Sequence, residues 1–354
     1  MDEQSIIAKA GLPVMEGHVA SILNEKLLAG MYASYLSKIG VVLMDIRQAV
    51  DKYRDIIDEI ISQRGDRKVF DPAKTPGVFV YVPRETRIET PIYACFLLGE
   101  KGFHQRIINV IKIEDGAEIT LAKGCAALVP TGAHKAMSLI EVGDNARFTS
   151  IMIHNWRPGI DVSSATYAWV GNNSLYRSYY VKTTPVRSIG SYEEVEAGEA
   201  TRIEVHKAST APRDTRVAST AVAVLRGRNS SGLIVTRGVV ENGGFMTNDL
   251  KISAQADGVK GHMECMGLVL GKGVMRTLPV LETSVEDAVL THEASIGRIG
   301  GEQLFYLMTR GLTEEEAIRL IVGGFLRGAM EGLPPQVKSY MDRVINMMAG
   351  KIAM

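Results

Sequence analysis

The chain has 354 residues, 46% hydrophobic and 23% charged, with 40 Lys plus Arg against 40 Asp plus Glu. That length buries at least one large core in two or three structural units, and a formal net charge of zero supplies no field for a polyanion, so nucleic acid is not an expected partner. No apolar run approaches the roughly 18 residues of a membrane span, and the acidic start MDEQSII lacks a basic leader pattern; a cytoplasmic protein without membrane contact is expected.

In chain order, the first sixty residues read as helical. In EGHVASILNEKLLAGMYASYLSKIG the apolar residues Val19, Ile22, Leu23, Leu27 and Leu28 recur at helical spacing. DIRQAVDKYRDIIDEIISQRG repeats the pattern through Ile46, Val50, Tyr53, Ile56, Ile57, Ile60 and Ile61, with Asp45 as N-cap and Gly65 as stop. The pattern predicts a helical domain over residues 1–74.

From Thr75 the texture changes to short runs of Val, Ile, Thr and Tyr punctuated by Gly, Asp and Asn. Turn signals fall at Asp115–Gly116, Gly143–Asp144, Asn172–Asn173, Ala197–Gly198, Ser231–Gly232, Asn242–Gly243 and Asp257–Gly258. IEDGAEITL and IEVGDNARFTS form a degenerate repeat. Irregular repeats of this length, with strands that come singly and not as tight hairpins, predict a parallel β-helix over 75–297; a sandwich is the alternative. A solenoid has open ends that must be capped, paired or covered.

After Gly300 helical spacing returns over 298–354. EQLFYLMTRG is followed by a capping box, Thr313 with Glu316, that opens LTEEEAIRLIVGGFLRGAM, and Leu333-Pro334-Pro335 separates a last helix in QVKSYMDRVINMMAG. These helices are apolar enough either to cover the end of the β region or to serve a partner.

The chemistry-bearing residues are few. GLVLGKG, Gly267 to Gly273, has the wrong spacing for a phosphate loop, so this chain is expected to bind no nucleotide. There is no GxSxG elbow and no HExxH helix. Three widely spaced cysteines without a CxxC predict reduced thiols, not a disulfide framework. Soft and borderline ligands remain: Cys125 in AKGCAALVP, Cys265 in GHMECMG, and the pair His292–Glu293. A lone Cys is more often a small buried hydrophobe, the reading given to Cys95, and His292 and Glu293 point to opposite faces of an extended strand. His262 and Glu264 share a face and are candidates for supporting contacts.

THEASIGRIGGEQLFYLMTRGLTEEEAIRLIVGGF resembles the C-terminal signature of the SufB/SufD family, scaffold subunits of the Suf iron–sulfur cluster assembly machinery. GVFVYVP, EDGAEITLAKGCAAL, IHNWRPG and HMECMGLVLG follow the family's order, so the resemblance covers residues 75–335. It implies a mostly β core with α flanks, a right-handed parallel β-helix between helical N- and C-terminal parts, and a scaffold with no catalytic site of its own. It further implies that Cys125 accepts sulfur, that His154 and Trp156 lie on the sulfur path, and that Cys265, His292 and Glu293 hold a transient iron–sulfur cluster. The C-terminal helices would dock a SufC-type ABC ATPase, for which Phe305, Tyr306, Met308 and Arg310 are the candidates. HNW stands where SufB has Gln-Asn-Trp, and apolar Leu97 and Gly99 replace an upstream Arg-x-Asn pair. One thiolate, one imidazole and one carboxylate fall short of the roughly four ligands of a stored cluster. A dimer, of this chain with itself or with a paralogue, is therefore expected to complete the site across the β-region's edges. The alternative is a SufD-like structural subunit; a carbohydrate-active β-helix, which would need catalytic acids or bases in an open groove, is disfavoured because the few aromatics (6%) give little sign of a sugar platform.

Overall fold

The computed structural model describes residues 18–28, 33–65, 68–333 and 335–352. An opening segment carries β1 (His18–Leu23), β2 (Lys26–Leu28), α1 (Ala33–Lys38), β3 (Val42–Asp45), α2 (Ile46–Lys52) and α3 (Arg54–Ser62). Sixteen strands follow. They run β4 (Val78–Val82), β5 (Ile92–Leu98), β6 (His104–Ile113), β7 (Glu118–Ala127), β8 (Thr131–Val142), β9 (Arg147–Asn155), β10 (Gly159–Val170) and β11 (Leu175–Lys182). The second half is β12 (Ser188–Ala197), β13 (Arg202–Ala211), β14 (Arg216–Leu225), β15 (Ser231–Val240), β16 (Phe245–Ala254), β17 (Val259–Val269), β18 (Val274–Thr283) and β19 (Ala288–Gly297). The helices α4 (Gly301–Thr309), α5 (Glu314–Arg327) and α6 (Pro335–Ile352) close the chain.

Successive strands alternate between two sheets. One is ordered β19-β17-β15-β13-β11-β9-β7-β5-β1-β2, the other β18-β16-β14-β12-β10-β8-β6-β4-β3, and from β4 onward all pairings within each sheet are parallel. This is a parallel β-solenoid of about eight turns with helices at its termini. Left-handed backbone marks one corner of each coil at Glu85, Gly116, Asn145, Asn173, Ala200, Asn229 and Gly258. Beside them runs a ladder of side-chain caps: Asp115 Oδ1 accepts from Asp144 N, Asp144 Oδ1 from Asn172 N, and Asn172 Oδ1 from Glu199 N. Short polar side chains that bond the backbone of the next coil are why Asp, Asn and Gly punctuate this stretch.

Along the solenoid strands from β6 onward alternate side chains face the lumen between the sheets, where Phe96, Ile111, Phe148, Ile203, Ile252 and Met263 belong to one continuous core. Helices cover part of the outward face of each sheet. Ile46, Ala49, Val50, Ile57 and Ile60 pack on Phe79, Ile108 and Leu139 of the second sheet. Val322, Leu326, Met341, Val344, Ile345 and Met348 pack on Tyr93, Cys95, Leu97, Ile151 and Tyr179 of the first, so Cys95 is core, and burying each such side chain contributes about 1.5–3 kcal/mol.

Several sequence expectations need correction. The helix expected from residue 16 to 40 is, among the described residues, a hairpin plus one short helix. Asn24 turns at φ 54 and β1 pairs in parallel with β5, so sheet extension overrides the helical spacing; residues 1–17 lie outside the described residues. The single helix expected from Asp45 breaks at Tyr53 (φ −129), although Asp45 does cap α2 by accepting Arg47 N–H at 2.9 Å. Ser231–Gly232 opens β15 instead of turning, the turn residue being Asn229. The Thr313–Glu316 capping box is formed as the sequence predicts. Among the described residues no helix is long and apolar enough to cross a membrane.

Candidate functional site

In-register stacking turns strand alternation into columns along the lumen. Phe96, Cys125, His154 and Lys182 stand side by side on β5, β7, β9 and β11. The next column holds Lys123, Met152, Tyr180, Lys207, Thr236 and Cys265. The structure therefore brings Cys125, His154 and Trp156 together: Cys125 Sγ lies 3.8 Å from Met152 Sδ, and the His154 ring lies 5.7 Å from Trp156. Burial pushes the Cys125 thiol far up while Lys123 opposes it, so the resting group is the thiol. His154 Nδ1 is 3.0 Å from Tyr180 Oη, and burial keeps this imidazole neutral.

Sequence reasoning missed most of this polar interior. His134, its ring 4.9 Å from Trp156, engages Gln105 Oε1 through Nδ1 at 2.7 Å. Its Nε2 and the Trp156 Nε1–H are buried without partners. Burial lowers His134 to about 3. Lys182 donates to the carbonyls of Thr184 and Thr210 at 2.8 and 2.5 Å, and Lys207 lies 3.5 Å from Glu193, which also accepts from Tyr176 Oη at 3.1 Å. Burial also lowers Lys123 and Lys207, with Glu193 opposing. A cavity of about 40 Å³ lies among Lys123, Cys125, His134, His154, Tyr180 and Lys207, room for two or three water-sized species. A signal was present: in ITLAKGCAA, Lys123 occupies the same alternating face as Ile119, Leu121 and Cys125, a charge where the pattern calls for core.

Five strand steps along the same sheet, about 24 Å, lies Cys265. It is buried on the lumenal face of β17, opposite Ala294 of β19, while His292 is opposite Met263. Cys265 and His292 thus share the lumenal face of adjacent strands. Burial raises the Cys265 thiol, and the facing hydroxyls of Thr236 and Thr277 lower it. Those two hydroxyl oxygens have no hydrogen-bond partner otherwise. Glu293 stands opposite Glu264 on the outer face, where Glu264 pairs with Arg237; β19 runs without a bulge, so the carboxylate expected beside Cys265 points the other way. His262, also outward, engages Thr291 Oγ1 through Nδ1 at 2.8 Å. Among the described residues no three His, Cys, Asp or Glu side chains converge as a metal site.

The terminal coil is the open end. β18 and β19 are the last strands of their sheets and leave Leu278, Val280, Val289 and Ile296 exposed. Beyond them α4 buries none of its residues: Phe305, Tyr306 and Met308 are 68%, 56% and 42% exposed, and the Arg310 guanidinium stacks 5.2 Å from the Tyr306 ring centroid.

Fold and site together define a two-sheet parallel β-solenoid with a buried thiol early in a polar lumen and another at its open end. Residues 96–325 match the family described as SUF system FeS cluster assembly, SufBD core domain, and the chain belongs to that family. It is similar to iron–sulfur cluster assembly SufBD family proteins of Archaeoglobus fulgidus (32% identity, covering 92% of this chain and 89% of the relative) and Methanothermobacter thermautotrophicus (31%; 87% and 78%). The iron–sulfur cluster assembly protein SufB of Bacillus subtilis is 27% identical over 97% of this chain and 77% of its own length.

Proposed function

We propose that this chain is a scaffold subunit on which a transient iron–sulfur cluster is built between two chains. The observation that carries it is that Cys265 and His292 share the lumenal face of adjacent strands, two residues out of register, at the exposed apolar end of the solenoid. A thiolate and an imidazole are suitable iron ligands; burial holds the Cys265 group as the thiol, and the Thr236 and Thr277 hydroxyls beside it partly offset that cost for the anion. Iron binding would displace the thiol proton, since only the thiolate ligates. One chain offers two such groups where a cluster takes about four, so a second terminal coil packed against β18 and β19 supplies the rest and covers both edges.

In this reading Cys125 is the sulfur acceptor, His154 and Trp156 flank the path, and the column through Tyr180, Lys207 and Thr236 leads towards Cys265. An ABC-type ATPase docks on Phe305, Tyr306, Met308 and Arg310 and biases the geometry of the dimer through its differential affinity for two states. The test is anaerobic reconstitution with iron and sulfide, read by visible absorption. Cys265→Ala should lose the charge-transfer bands while keeping the wild-type circular dichroism. Bands of equal intensity in that variant would sink the assignment.

A second reading, a structural subunit that binds the ATPase and a paralogue without building clusters, is favoured by one observation: Glu293 faces away from Cys265 and His292. A wild-type chain that binds the ATPase yet develops no bands would select it.

A further inference from the structure

Where the last corner of the solenoid meets the C-terminal helices there is a cleft of about 630 Å³, within the range that accepts a small organic ligand. In-register stacking builds one wall, because Glu241, Leu270 and Ile299 follow β15, β17 and β19 at equivalent positions. Leu304 of α4 and Ile318 of α5 form the other. Two guanidiniums, Arg213 and Arg298, line the rim, and neither makes an ion pair or side-chain hydrogen bond among the described residues. Elsewhere on the solenoid Arg187, Arg226 and Arg228 each hold a carboxylate.

The carboxylate that would neutralise this pair is Glu241. It takes the backbone N–H of Arg213, and its Oε1 is buried without a partner. Burial, opposed by Lys182, pushes its carboxyl up to about 7. The cleft thus presents two guanidiniums and apolar walls, with the Glu241 carboxyl bonded to the Arg213 backbone and paired with neither guanidinium.

We propose that this cleft binds a small organic anion, its carboxylate or phosphate head held by Arg213 and Arg298 and its apolar body against Leu270, Ile299 and Leu304. Guanidiniums suit both head groups because their planar donors engage two oxygens at once. The inference is independent of cluster assembly and uses neither Cys125 nor Cys265. Because the walls belong to different elements, an occupant would also fasten α4, none of whose residues is fully buried, to the solenoid corner.

The test is calorimetric titration of the full chain with phenylphosphate and, separately, benzoate, which distinguishes the two head groups. Saturable binding of at least one probe is expected, weakened about tenfold or more by Arg213→Gln and by Arg298→Gln, the scale of one lost charge-assisted hydrogen bond. Arg228→Gln, at the opposite corner, should leave it unchanged. All three arginines are exposed, so the variants should fold, which circular dichroism checks. No saturable heat with either probe at millimolar concentration, or affinities in the Arg213 and Arg298 variants equal to wild type, would overturn the proposal.

Discussion

Gly227 stands at the corner between β14 and β15, where the preceding coil is nearly in backbone contact. A Cβ there would lie 2.0 Å from Gly198 C and 2.1 Å from Glu199 N, against the roughly 3.5 Å that carbon contacts tolerate. Gly227→Ala must therefore open the corner by about 1.5 Å. That movement breaks Gly227 N–H to Ala197 O (3.1 Å) and Ala200 N–H to Arg228 O (2.8 Å). At about 1 kcal/mol net for each bond, plus about 1–3 kcal/mol for overpacking, the loss is about 3–5 kcal/mol. Gly190 on β12 is the control, since a Cβ there meets nothing within 4 Å; Gly190→Ala should change stability by less than about 0.5 kcal/mol. Urea unfolding followed by circular dichroism measures both, with amide exchange at Ala200 reporting the local opening. If the two variants agree within about 0.5 kcal/mol, stacking of backbone on backbone does not govern this corner.

Thr313→Ala removes the capping box of α5, in which Thr313 Oγ1 accepts from Glu316 N at 3.2 Å; thermal unfolding should show a loss of about 1 kcal/mol. Glu241 carries a carboxyl raised from 4.5 to about 7, so the folded state holds a proton the unfolded chain releases, and stability falls as pH rises from about 4.5 through 7. Glu241→Gln should therefore raise the melting temperature at pH 8 and leave it unchanged at pH 4; equal shifts at both would refute the linkage. Cys95, Cys125 and Cys265 are all buried, so iodoacetamide should label each at least about tenfold faster in urea than in the native protein, read by mass spectrometry. Rapid native labelling of Cys265 would mean that the terminal coil opens freely.

The solenoid was legible because its coils advertise themselves: corner residues such as Gly116, Asn145, Asn173 and Gly258 need left-handed backbone, and few residue types adopt it cheaply. The C-terminal helices were legible for a local reason, the Thr313 cap. The hairpin of β1 and β2 was not, since its parallel partner β5 lies some seventy residues downstream and the apolar residues Val19, Ile22 and Leu23 fit a short strand as well as a helix. Cys125, Cys265 and His292 could be singled out by type, but their relation could not, because which side chains share the lumenal face depends on register. Strand alternation alone predicts that Glu293 points away from His292, and the structure bears that out. The buried charges Lys123, Lys182 and Lys207 were visible only as breaks in alternation that became meaningful once the inward face was known.

In the proposed scaffold, a second chain completes the cluster site at the open end. Leu278 and Val289 are both 59% exposed there, and Leu278→Asp combined with Val289→Asp keeps Cys265 and His292 while making that surface repel its copy. The decisive measurement is iron and sulfide per chain after anaerobic reconstitution of wild type and this double variant, with the oligomeric state of each taken by sedimentation. A dimeric wild type that carries cluster beside a folded, monomeric variant that carries none is expected; a monomeric variant with the wild-type content of iron and sulfide would mean that one chain suffices.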